Sequence, residues 1–163
     1  YALTATGNDV TLEDIARIAD VFYIGGTKVG AMFGEAVVFT HGNMPKNFVT
    51  LVKQHGALLA KGWLLGVQFD TLFTDDLYCR IARHANDAAD RIREVLVERG
   101  YTLTFDAPTN QIFITLDNAT SERLQRNVRL GFMEKADDTH TVMRICTSWA
   151  TTPEEVDQLI ELL

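Results

Sequence analysis

The sequence predicts an α/β chain, and three observations carry that prediction. Two apolar runs, Val21 to Ile24 and Glu35 to Thr40, flank a short glycine-rich link and read as neighbouring strands. A stripe of Leu77, Ile81, Ala85, Ala88, Ile92 and Val95 recurs at helical spacing, with Arg80, Arg83, Asp87, Asp90 and Arg91 largely off it. Beyond Gly100, short apolar runs alternate with helix signals, as in a small mixed sheet. At 47% hydrophobic and 23% charged over 163 residues, the chain has enough apolar matter for an ordinary core.

Taken in order, Thr11 followed by Glu13 and Asp14 offers an N-cap hydroxyl with acids in the first turn, so a short helix is expected from Leu12 to about Ala19. The two strands follow, joined across the lysine-bearing turn. Asn43-Met44-Pro45 opens a new element, with Pro45 suited to a first helical turn. Phe48, Leu51, Val52, Leu58, Leu59, Leu64, Leu65, Phe69 and Leu72 then keep helical spacing, so 46–75 reads as a bridging helix between residues 1–45 and a C-terminal α+β part, 76–163. Gly56, Gly62 and Gly66 each weaken that helix by about 1 kcal/mol relative to Ala. Close approach of another surface would account for them. Leu77–Glu98 is a helix that Gly100 stops. Leu103–Phe105, Ile112–Leu116 and Val142–Cys146 read as strands, with a helix from about Ser121 to Asn127 among them. Thr152-Pro153-Glu154-Glu155 is a capping box with proline at the first helical position, opening a last helix through Leu163.

The net charge of −7 and the lack of a basic run argue against nucleic acid or an anionic membrane surface as partner. Apolar stretches are broken by Lys28, Glu35 or Lys61 too soon to span a bilayer. Cys79 and Cys146 stand alone, and no histidine pair has metal-ligand spacing, so two free thiols, no metal and a cytoplasmic setting are expected.

The residues with chemical potential are few. Lys28 follows four apolar residues, two glycines and a threonine, in Val21-Phe22-Tyr23-Ile24-Gly25-Gly26-Thr27-Lys28. A lysine amine is protonated at neutral pH unless its surroundings favour the neutral form, so a buried amine here would suit attack on a carbonyl. A strand ending in a solvated lysine turn is an equally plain reading. Arg144, on the alternating Val142–Cys146 run, either pairs with a structural carboxylate or points into a cleft. Lys61, between Ala60 and Gly62, lies on the expected bridging helix. Turn formation explains Asn110 and Gln111, Glu35 either tunes the lysine site electrostatically or is an edge-strand carboxylate, and Trp149 is a cleft or core residue.

The run from Asp20 to Phe39, DVFYIGGTKVGAMFGEAVVF, closely resembles the lysine segment of the threonine aldolase and β-eliminating lyase family of pyridoxal 5'-phosphate enzymes. The resemblance extends through YALTATGNDVTLED at the start, KQHGALLAKG, PTNQIF and MRICTSWATTP near the end. It implies the end of a fold-type-I large domain, residues 1–45, followed by the bridge and a small C-terminal domain. It implies Lys28 as the Schiff-base lysine, Thr27 as a ligand of the cofactor phosphate, Lys61 as an anchor for the phosphate of a neighbouring subunit, and Arg144 as the clamp on the substrate α-carboxylate. The match begins in the middle of family members. A missing N-terminal portion would therefore carry the acid facing the pyridine nitrogen, and the fragment alone is expected to be inactive. The implied parent is a homodimer or homotetramer that cleaves β-hydroxy amino acids to glycine and an aldehyde, or alternatively a β-eliminating lyase. A noncatalytic interaction module is the reading from another class.

Overall fold

In the computed structural model, which describes Tyr1–Leu163, the capping signals at both ends of the chain are realised. Thr11 closes a capping box with Asp14 at the start of α1 (Leu12–Ile18), and Thr152 does so with Glu155 at the start of α6 (Pro153–Leu162). The chain divides into two units, Asp9–Tyr78 and Tyr1–Asn8 with Cys79–Leu163.

In the first unit, β1 (Val21–Gly25) and β2 (Glu35–Phe39) pair antiparallel, with Gly25 opposite Glu35 and Val21 opposite Phe39. The helix expected over 46–75 is instead two, α2 (Phe48–Gln54) and α3 (Trp63–Phe73). The break has a local cause. Gly56 sits at φ +71°, its N–H reaches the Lys53 carbonyl, and the Ala57 N–H reaches back to Val52. This 6→1, 5→2 pair of bonds over a left-handed glycine terminates a helix. Gly56 therefore ends α2, and Pro45 lies ahead of the helix in a turn whose carbonyl accepts from Phe48.

In the second unit, α4 (Leu77–Glu98) has the predicted bounds, and Gly100 ends it with the same motif, Tyr101 N–H to Leu96 and Gly100 N–H to Val97. A four-stranded antiparallel sheet follows in the order β3 (Thr102–Leu103), β4 (Gln111–Asp117), β6 (His140–Cys146), β5 (Gly131–Lys135). α5 (Asn118–Gln125) starts three residues earlier than expected, because Asp117 caps it by accepting from the Thr120 N–H. Period-two alternation sends Ile112, Ile114, Leu116, Met143 and Ile145 to one face, where they join Ala89, Ile92 and Leu96 of α4, Leu124 of α5 and Val156 of α6 in the core. The opposite face carries Gln111, Phe113, Thr115, Val142, Arg144 and Cys146. The ends of β4 and β6 are tied to α4, since the Asn110 amide donates to the Thr147 carbonyl and the Thr147 hydroxyl to that of Ala85. Asn86 holds the first residues of the chain to this unit by donating to the Tyr1 carbonyl and the Thr4 hydroxyl.

Neither cysteine forms a disulfide, and no helix is long and apolar enough to cross a membrane. Thr152→Ala removes the N-cap acceptor of α6 and is expected to lower stability by about 1 kcal/mol. A drop in denaturant midpoint at unchanged m-value is the measurement.

Candidate functional site

The turn between β1 and β2 is built around Gly26. Its carbonyl accepts from both Val29 and Ala31 N–H, folding Thr27–Val29 into a single 3-10 turn, and Gly30 leaves it at φ +96°. Val29 anchors the turn at 2% exposure, while Thr27 and Lys28 on either side of the turn's start are exposed. Lys28 is thus an exposed residue rather than the buried one that attack on a carbonyl would favour.

Helix α3 buttresses the loop. A Cβ on Gly26 would lie 3.1 Å from the Phe69 ring and 2.8 Å from Ala31 Cβ, and any side chain at Gly34 would run into Leu65. Gln68 Oε1 accepts from the Met32 N–H at 2.7 Å, and its amide nitrogen donates to the Phe33 carbonyl at 3.2 Å. The Tyr78 hydroxyl donates to the Gly25 carbonyl at 3.0 Å, fixing the end of β1 ahead of the lysine. Phe69, Phe73 and Tyr78 stack in succession behind it. The close packing at Gly26 and Gly34 explains why glycine is needed there, whereas a Cβ on Gly25 would meet nothing within 4 Å. Open space therefore adjoins the turn.

Thr27 and Lys28 share this turn. Lys61 does not: it sits in the turn before α3 rather than on a helix, and is exposed. Glu35 is an exposed first residue of β2. Arg144 belongs to the other unit, half-buried on the sheet face away from the core. Its Nη1 donates to Gln111 Oε1 at 3.2 Å, its Nε is buried without a partner, and no carboxylate pairs with it. Of the two readings of Arg144, the structural ion pair is therefore removed. It lines a cavity of about 270 Å³ with Arg129, Cys146, Thr151 and Glu155 among others. Trp149 is half exposed.

The sequence reading missed Gln68, Tyr78 and Gln111. The first two lie about 40 and 50 residues beyond the lysine turn, and only the packing of α3 and the start of α4 against that hairpin reveals them. Gln111 was assigned to a turn because its partner is set by strand register, which has no local signal.

No protein-family model matches the sequence. The low-specificity L-threonine aldolase of Pseudomonas aeruginosa is 30% identical over 141 residues, which cover 86% of this chain and 40% of that protein. The solved threonine aldolase of Leishmania major superposes with a TM-score of 0.92 at 41% identity, covering 98% of this chain and 47% of that one. The chain is a threonine aldolase homologue. It spans less than half the length of these threonine aldolases. The serine palmitoyltransferase of Sphingomonas wittichii, at 15% identity and a TM-score of 0.62 over 99% of this chain, shares the fold. The α/β architecture of this threonine aldolase homologue is thus that of the fold-type-I enzymes of pyridoxal phosphate.

Proposed function

We propose that this chain is the C-terminal portion of a pyridoxal 5'-phosphate-dependent lyase that cleaves β-hydroxy amino acids such as threonine to glycine and an aldehyde. One observation carries the reading. The lysine-bearing turn of Gly25–Gly34 is rigidly held from behind while Lys28 and Thr27 face outward, in a chain 41% identical to a solved threonine aldolase. The residues present fit the cofactor. A primary amine for the aldehyde, a hydroxyl one residue earlier for the phosphate and unfilled space over Gly25 meet at one turn.

In this reading the cofactor supplies an electron sink for the pair left at Cα when a bond there breaks. Lys28 would hold the cofactor through its amine and would move a proton at Cα. Thr27 donates its hydroxyl to the phosphate. Arg144 binds the α-carboxylate through its planar fork, which fixes which Cα bond is broken. With the Cα–Cβ bond oriented for cleavage, the net change would be transfer of the β-hydroxyl proton to Cα, with the substrate released as glycine and an aldehyde. Lys61 reaches the phosphate of a neighbouring subunit in a cytoplasmic homodimer or homotetramer. Residues 1–45 close the cofactor domain, 46–75 bridge, and 76–163 form the small domain.

The test uses the complete protein. Pyridoxal phosphate is added, borohydride fixes any imine, and peptide mass spectrometry finds the label, expected on Lys28. Threonine should yield glycine and acetaldehyde in equal amounts. A label confined to another lysine, or release of ammonia and an oxo acid in place of glycine, overturns the reading.

A further inference from the structure

We propose that Gln111 is the positioning residue for Arg144, a neutral amide that aims the guanidinium at a carboxylate without neutralising it. The inference rests on the reading of Arg144 as the carboxylate clamp. In the β4–β6 register Phe113 lies opposite Arg144 and Gln111 opposite Cys146, so Gln111 and Arg144 are diagonal neighbours on one face. Diagonal pairs are within reach of long side chains. The 3.2 Å bond from Nη1 to Gln111 Oε1 fixes one edge of the fork.

The other strand neighbour supplies room. Gly131 of β5 lies opposite Arg144, and a Cβ there would stand 3.5 Å from Nε and 3.4 Å from the Arg144 carbonyl oxygen. Bare backbone on that side leaves room beside the guanidinium, whose Nε is buried and without a partner. A half-buried guanidinium is ordinarily paired with an acid. Here its hydrogen-bond partner is an amide instead, and Glu155, which lines the same cavity, makes no ion pair with it. An acid in that place would hold the fork closed against an incoming carboxylate. An apolar residue would let it swing. The amide does neither, and this is the arrangement suited to a ligand that brings its own negative charge.

The experiment compares glycine with methylamine, the same amine without a carboxylate, by absorbance titration of the complete protein loaded with pyridoxal phosphate. Gln111→Met is expected to weaken glycine about tenfold, the scale of one hydrogen bond to a charged group, and to leave methylamine within twofold. Gln111→Glu is expected to weaken glycine further, about a hundredfold, because its carboxylate pairs with Arg144 in competition. Unchanged glycine affinity in both variants overturns the inference, as does an equal loss for both amines, which would mark a purely structural role. Arg144→Ala runs in parallel. If it weakens glycine while the Gln111 variants do not, the positioning role alone fails; if it leaves glycine unchanged, the clamp reading fails and this one with it. Far-UV circular dichroism confirms that each variant is folded, and Gln111→Glu, equal in size to the native residue, serves if Gln111→Met is not.

Discussion

Lys28→Ala in the complete protein is expected to abolish borohydride-dependent attachment of pyridoxal phosphate and to lower threonine cleavage by about 10³-fold or more. The size follows from what one side chain would supply: proton transfer by a positioned group alone contributes 10²–10⁴-fold, and loss of the covalent tether adds to it. Lys28→Arg separates charge from nucleophilicity. A guanidinium keeps the positive charge but stays protonated and forms no imine, so it should be as inactive as alanine. The scaffold should not notice either change, because Lys28 is exposed and the turn is held by Gly26, Val29, Gln68 and Phe69. A thermal midpoint unchanged within experimental error, beside the lost activity, is the pattern that marks a chemical role. Retained labelling in Lys28→Ala would remove the basis of the functional reading.

The exposure of Lys28 also bounds what this chain does alone. Desolvation is what makes a lysine a good nucleophile, and Lys28 is an exposed residue of this chain. The chain spans less than half of its threonine aldolase relatives.

How much was legible beforehand depended on whether the signal was local. The Thr11 N-cap, the Thr152 capping box, the Gly100 stop and the full span of α4 were read correctly because each is written within a few residues or in a regular stripe. The single helix over 46–75 failed because periodicity outweighed Gly56, a residue at a left-handed position that ends α2. β5 was not seen at all. Its residues, Gly-Phe-Met-Glu-Lys, include no β-branched side chain, four of the five are exposed, and a register shift between Phe132 and Glu134 breaks any alternation. At the site, Lys28 and Arg144 stood out as residue types in suggestive settings. Gln68, Tyr78 and Gln111 did not, since polar residues acquire a role only from the neighbours that folding gives them.

Arg144 is expected to show opposite effects on activity and stability. Its fork offers two charge-assisted hydrogen bonds to a carboxylate, and losing them in Arg144→Met should raise the KM for threonine by about 10²-fold, given 1.5–3 kcal/mol for a hydrogen bond to a charged group. Arg144→Lys should recover only part of this, because an ammonium presents a point charge where two parallel bonds are wanted. Stability should move the other way. In the resting protein the guanidinium is half-buried, holds one hydrogen bond to a neutral amide and leaves Nε unpartnered, so its desolvation is poorly compensated. An unbranched apolar side chain at that place removes the cost and keeps the packing against Phe113 and Gly131. Arg144→Met is therefore expected to be as stable as the native protein or more stable by up to about 1 kcal/mol, read as a higher denaturant midpoint. A residue kept for folding would lose stability on replacement. A residue kept for a ligand that brings the missing charge would lose only binding, and a variant that is both less stable and unimpaired in KM would show that Arg144 serves the sheet.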